Sequence, residues 1–410
     1  MTDELDANRV LLWFMLLSVL GGTSMGMAQI ATTLYAVNLG ASSSQIGMIG
    51  GAQGIGFLCT VLPIGFLVDH VGPRKVFFFG AASSAVAYLL FPFVRTAESL
   101  CWFVAVVGFF TAFRFIPMSS VFLQFVKQAG SEKAGWQRGS HSFGLVFLGP
   151  LLGGVLSRYW GFNMTFQLVS VAVVIMMALG LATFPDGLRA DDHAGSEPTT
   201  PAERIAELVK LFKHEEILEA SLAEALALAT FACFNAFIVV MAIRIFHFPS
   251  EVASLFVSLE GISYIATLFL LWRLLDSLGS RQFYLISILV VIAGLLLLSI
   301  LWHPAFLFAG TLLIGLGLGM FNLVNVTRIA RTDVGKGKIA GVFSVFTVLG
   351  SIIGPVIGGI AGEWIGGWSV FLVFIPFYLI LGYRICFRHN ARNVSAPDSV
   401  VLIQTVTEEY

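Results

Sequence analysis

The sequence predicts an all-α membrane protein, with twelve transmembrane helices in two pseudo-symmetric six-helix bundles. Three observations predict it: a composition too apolar for water, apolar stretches long enough to cross a bilayer, and a second half that repeats the first. The chain has 410 residues, 57% hydrophobic and 11% charged, with a mean hydropathy of +0.90. A soluble domain carries about 25% charged residues. A soluble enzyme or a nucleic-acid binder is therefore excluded. The net charge of −1 implies no polyanion partner. Cys59, Cys101, Cys233 and Cys386 lie in apolar stretches and form no Cys-x-x-Cys pair, so neither a disulfide framework nor a thiolate metal site is suggested; no metal and no cofactor are expected. Residues 1–9 are polar and acidic, without the basic region or cleavage site of a signal peptide.

A spanning helix needs about 20 mostly apolar residues. Such stretches fall at 10–37, 46–68, 76–94, 99–126, 140–157, 162–184, 217–246, 252–272, 282–302, 305–329, 339–361 and 367–387. Hydrocarbon offers backbone groups no water, so each must be helical. The expected units are a bundle at 1–184, a linker at 185–216, a second bundle at 217–387 and a tail at 388–410. With both termini inside, 19 of the 23 basic residues fall in inner segments, three (Arg95, Arg158, Arg244) outside, and Arg114 within a helix. That bias predicts a multi-pass protein of the cell membrane, inner or plasma, with cytoplasmic termini. In the linker, Thr200, Pro201 and Glu203 form a helix-start signal. Ile205, Leu208, Val209 and Phe212 then share one face, which predicts a short amphipathic helix on the inner membrane surface.

The halves align at offsets of 205 to 207. Gln53–Phe57 (Q-G-I-G-F) matches Glu260–Tyr264 (E-G-I-S-Y), and Asp69–Arg74 (D-H-V-G-P-R) matches Asp276–Arg281 (D-S-L-G-S-R). Gly149–Gly154 (G-P-L-L-G-G) matches Gly354–Gly359 (G-P-V-I-G-G). Two similar rigid halves can rock about a site between them and open it to each side in turn.

Gly65–Lys75 reads G-F-L-V-D-H-V-G-P-R-K between the second and third helices. It resembles the loop signature of the major facilitator superfamily, G-x-L-x-D-x-x-G-x-[RK]-[RK], and the second copy around Asp276, Gly279 and Arg281 is degraded. Gly341, Gly350, Gly354, Pro355, Gly358 and Gly359 match a second signature of that family, which is associated with antiport when on helix 5. Here the full match is on helix 11, and helix 5 keeps Gly149, Pro150, Gly153 and Gly154. The resemblance implies a conformational latch made by Gly65, Asp69, Gly72, Arg74, Lys75, Asp276 and Arg281. Gly72 permits the tight turn. Glycines at 350, 354, 358, 362 and 366 recur every four residues and make a ridge for close helix approach. With Gly149, Pro150 and Pro355 they read as packing surfaces or as a hinge.

Two charges sit near mid-helix: Arg114 in helix 4 and Glu260 in helix 8. The resemblance places helices 1, 2, 4, 5, 7, 8, 10 and 11 around the cavity. Glu260 aligns with Gln53, so one pseudo-symmetric position is titratable in one half only. Burial favours the protonated form of a carboxyl, as proton coupling requires. Glu260 is read as the proton-coupling residue and Arg114, a bidentate donor, as the anion-binding one. The alternative is a structural Arg114–Glu260 pair across the cavity. Helical spacing adds Gln29, Thr33 and neighbouring Tyr35 on helix 1, Asn235 on helix 7, and Asn322 and Asn325 on helix 10 as substrate contacts, with Gln53. Glu224 on helix 7 is a second proton site. His141 begins helix 5. The large aromatic share, with 38 Phe, suits a partly apolar cavity.

The sequence therefore predicts a secondary active transporter of a small organic solute, anionic or amphipathic, driven by protons, with export favoured. The alternatives are an uptake symporter, an uncoupled facilitator, or a non-transporting receptor or scaffold of the same fold. The expected partners are the solute, protons and lipid, and the expected state is a monomer.

Overall fold

Long apolar runs, broken at polar or glycine-bearing turns, give an almost wholly helical chain. The structure is a computed structural model that describes residues 2–129, 134–184, 215–300, 303–330 and 336–394. The first bundle comprises α1 (Thr2–Asn38), α2 (Ser43–Val71), α3 (Pro73–Leu90), α4 (Ala97–Ala129), α5 and α6 (Gly161–Thr183). Helix α5 is three consecutive pieces: Ala134–Ser142, a π-helical segment Phe143–Leu148, and Gly149–Tyr159. The second bundle comprises α7 (Glu215–Arg244), α8 (Ser250–Leu270), α9 (Ser280–Ser299), α10 (Pro304–Ala330), α11 (Lys336–Trp364) and α12 (Ile375–Val394). Short helices Trp272–Leu278 and Ser369–Leu372 follow α8 and precede α12.

Eleven helices among the described residues are long and apolar enough to span a bilayer. The 29-residue α2, whose one carboxylate is Asp69 in its last turn, supplies the twelfth. Several helices overrun the predicted bounds, most at α1, which starts at Thr2, and at α12, which continues to Val394. A helix does not end where the hydrocarbon ends. Residues 185–214 of the linker, with its predicted amphipathic helix, and residues 395–410 lie outside the described residues, and the linker's last two residues open α7.

The repeat is written into the loops. Gly72 (φ +94°) caps α2 and precedes α3; Gly279 (φ +76°), 207 residues on, does the same before α9. Each donates its N–H to an equivalent carbonyl, Val68 and Leu275, at 3.0 Å. Only glycine adopts this backbone without strain.

The same pseudo-symmetry builds the seam between the bundles, where α2 meets α11 and α5 meets α8. A Cβ on Gly359 would sit 2.7 Å from the Ser43 carbonyl and 3.0 Å from Gly47 Cα. A Cβ on Gly154 would collide with Ser254 and sit 2.9 Å from the Ser250 carbonyl. These are the same contact in two copies. One turn deeper, a Cβ on Gly51 would lie 2.8 Å from the Ile352 carbonyl, and at the equivalent place Ser258 donates to the Phe147 carbonyl at 3.1 Å.

A polar clasp ends each seam. Glu363 accepts from the Ser42 hydroxyl at 2.7 Å and the Ser44 N–H at 2.8 Å, at the start of α2. At the equivalent place Arg158 faces Glu251 at 3.8 Å. Arg244 adds a bond to the Ala41 carbonyl, 2.6 Å. All these contacts lie at the end bearing loops 39–42 and 365–368, the closed end. Towards the other end of α2 a Cβ on Gly65 would meet open space.

Candidate functional site

The chamber is a cavity of about 350 Å³ at the seam. Gln29, Thr32 and Thr33 of α1, Gln53 and Phe57 of α2, and Thr111 and Phe115 of α4 line it. Tyr88 of α3 and Phe91, just past its end, add another wall, and His141 closes the α5 side. The second bundle contributes Ala232, Asn235 and Ala236 of α7, and Val348 and Ser351 of α11. The walls are mostly apolar, with a few polar groups that can orient a ligand, the usual make-up of a small-molecule site.

Gln29, Thr33, Gln53 and Asn235 thus share one chamber. Among the described residues, Asn322, Asn325, Glu224 and Glu260 do not line it. Helices α8 and α10 are absent from its described wall, whereas α3 enters it. Ser254, Ser258 and Gly261 let α8 press against α5, which takes α8 into the seam.

Tyr35 is a correction to the sequence reading. Its hydroxyl donates to the Val94 carbonyl at 2.6 Å, and its ring packs on Phe162 and Phe166 at 5.2 and 6.0 Å. It fastens α1 inside the first bundle and does not face the chamber.

Glu224 and Asn325 form a pair of their own. Asn325 donates to the Glu224 carboxylate at 2.8 Å, and both are buried. One turn and a half along α7, Thr230 and Tyr378 bond at 3.0 Å. This polar cluster ties α7, α10 and α12 within the second bundle.

The repeat holds at Gln53 and Glu260 to the level of the backbone. A Cβ on Gly108 would collide with the Gln53 carbonyl, and one on Gly315 with the Glu260 carbonyl. Gln53 faces the chamber, while Glu260 is fully buried and neither carboxylate oxygen has a hydrogen-bond partner. An ionised carboxylate held this way is costly, and a proton removes the cost.

Arg114 is 6% exposed and does not pair with Glu260, whose oxygens are unpartnered; the alternative of a cross-cavity ion pair is overturned in this conformation. Its partners are neutral: the Thr111 hydroxyl at 3.4 Å and Tyr88. It does not line the main chamber. It lines a side cavity of about 30 Å³ that shares Met25, Thr111, Phe115 and His141 with the chamber. A charged side chain at the centre of a membrane helix costs about 2.5–3.5 kcal/mol, and no carboxylate among the described residues offsets it here.

The family signatures have varied fates. Gly72 makes the predicted turn. Lys75 is exposed, and Arg281 donates to the Cys386 carbonyl of α12 at 3.2 Å, inside its own bundle. The side chains of Asp69 and Asp276 lie outside the described residues, so the predicted latch does too. Gly350 and Gly354 press on Ala225 and Ala229 of α7, and Gly358 on Cys233. Gly359 and Pro355 face α2 across the seam. A Cβ on Gly149, beside the buried Pro150, would sit 2.7 Å from Gly26 Cα. The ridge is a surface of close helix contact.

Sequence reasoning missed Tyr88, the wall residue that also holds Arg114, and the π-helical segment. A π-segment frees a carbonyl from its ladder and often marks a functional place. Here the Phe147 carbonyl takes its bond from Ser258 in the other bundle. No residue pattern announces it.

The family model of the Major Facilitator Superfamily matches residues 12–243 and 220–401. The multi-drug resistance efflux pump PmrA homolog of Lactococcus lactis is 25% identical over 353 residues, 82% of this chain and 83% of that one. An uncharacterized MFS-type transporter of Methanocaldococcus jannaschii is 25% identical over 166 residues, and the match spans 42% of its length. The fold resembles the nucleoside transporter NupG, with TM-score 0.76, 18% identity, and coverage of 92% of this chain and 98% of that one. It also resembles a bacterial homolog of the human lysosomal transporter Spinster in an inward-facing, unoccupied conformation, with TM-score 0.73, 14% identity, and coverage of 92% and 96%.

Proposed function

This chain belongs to the major facilitator superfamily and is a multi-pass membrane transporter, and on that premise we propose that it moves a small amphipathic or anionic solute by proton-coupled alternating access, with export favoured. The observation that carries the reading is the seam chamber of about 350 Å³, within the range that holds drug-sized ligands. Phe57, Phe91 and Phe115 offer an apolar bed, and Gln29, Thr33, Gln53 and Asn235 offer hydrogen bonds around it.

The basic residues gather in segments at the end opposite the clasps, and that bias supports a cytoplasmic side there. On that reading the clasped end faces outward, which suits the state that loads a solute for export. The efflux pump among the relatives and the glycine–proline run lean the same way. Both termini are cytoplasmic in the cell membrane, and the protein acts as a monomer. Glu260 carries the proton, since its carboxyl is fully buried without a partner where the other bundle holds Gln53.

A thermal-shift screen of the purified protein against metabolites and drugs tests the chamber. We expect stabilising ligands whose effect disappears in Asn235→Trp, which fills the cavity from α7. Ligands that stabilise the filled variant as well would place binding elsewhere and defeat the reading.

A further inference from the structure

We propose that the solute carries a carboxylate, and that this head group enters the side cavity and pairs with Arg114 while the apolar body stays in the main chamber. The inference rests on the transport reading above and narrows its substrate class. Arg114 is a buried cation whose partners are both neutral and whose Nε has no partner. It lines a cavity of about 30 Å³. A water needs roughly 10–15 Å³ by this kind of measure, so there is room for the two oxygens of one carboxylate. The cavity shares four wall residues with the chamber, so head and body can occupy both at once.

The surroundings sharpen the choice. Gly21, Phe77, Met118 and Met176 complete the cavity with a mostly apolar wall, in which an ion pair is stronger than in water. A guanidinium binds a carboxylate by two parallel hydrogen bonds. A single cation in so small a space suits a monoanion better than a phosphate dianion. His141 lies beside the Ser18 backbone, and its Nδ1 is buried with no hydrogen-bond partner. In the neutral ring that nitrogen accepts, so it suits a hydroxyl or amine next to the carboxylate.

Matched ligands test this on the full chain in detergent: 3-phenylpropionate, its primary amide, and phenyl phosphate, each titrated calorimetrically. The acid should bind at least about tenfold more tightly than the amide, the difference a charge-assisted bidentate pair supplies. Arg114→Gln should remove that difference, and Arg114→Lys should retain part of it. Equal binding of acid and amide to the wild type would overturn the proposal without need of any variant. So would an acid preference that survives Arg114→Gln, or phosphate binding more tightly than carboxylate. Flux measurements separate the two claims. Acid preference without flux defeats the transport reading alone; flux without acid preference defeats this inference alone.

Discussion

Gly47→Ala should push the protein out of the conformation described here. The new methyl would collide with the Pro355 carbonyl and lie 3.1 Å from Gly359 Cα. Both are backbone atoms of α11 and cannot swing aside. Overpacking of this kind costs about 1–3 kcal/mol. The gain in helix propensity from losing a glycine, roughly 0.5–1 kcal/mol, applies in every conformation and cancels. The closed-end contact exists only while α2 and α11 touch, so the whole cost falls on this state. The ratio of closed-end-open to closed-end-shut molecules should therefore rise about 5- to 150-fold. Spin labels at Arg95→Cys and Gly367→Cys would report it. Both sites are exposed in closed-end loops, one in each bundle. The background would lack Cys59, Cys101 and Cys386 and keep the buried Cys233. We expect a longer interspin distance to gain population in Gly47→Ala. An unchanged distribution in a well-folded variant would refute the seam as the contact that holds this state.

Three further outcomes follow from the same geometry. Gly354→Ala should lower Tm without moving the interspin distance, because Gly354 presses on Ala229 within one bundle rather than across the seam; a shift in distance would contradict that division. Glu363→Gln replaces a charged acceptor of two cross-seam hydrogen bonds with a neutral one, and should open the closed end in the same spin-label assay while leaving Tm near wild type. Tyr378→Phe removes the buried bond to Thr230 and should cost about 0.5–1.5 kcal/mol, read as a lower denaturation midpoint; no change would mean that the hydroxyl bond is replaced within the cluster.

Much of the fold was legible because hydrocarbon enforces helices and because duplicated residues leave duplicated geometry. The glycine pair 72 and 279 could be read from sequence and recurs as matched left-handed turns. Helix faces were legible and depths were not. Glu224 and Asn235 share a face of α7, yet eleven residues separate them, about 16 Å along a helix. One pairs with Asn325 and the other reaches the chamber. Tyr35 lies six positions past Gln29, about 120° away around the helix, so it turns into the bundle while Gln29 and Thr33 face the cavity. Tyr88 gave no signal because nothing in its own helix marks it; its role comes from Arg114 on α4.

Solute movement against its own gradient, powered by an imposed pH difference, is the decisive measurement. Reconstituted wild-type protein should concentrate a ligand from the thermal-shift screen inside inverted-orientation vesicles when the interior is made acidic. Glu260→Gln should bind the ligand yet fail to concentrate it. Accumulation that ignores the pH difference, or that survives Glu260→Gln, would contradict the account.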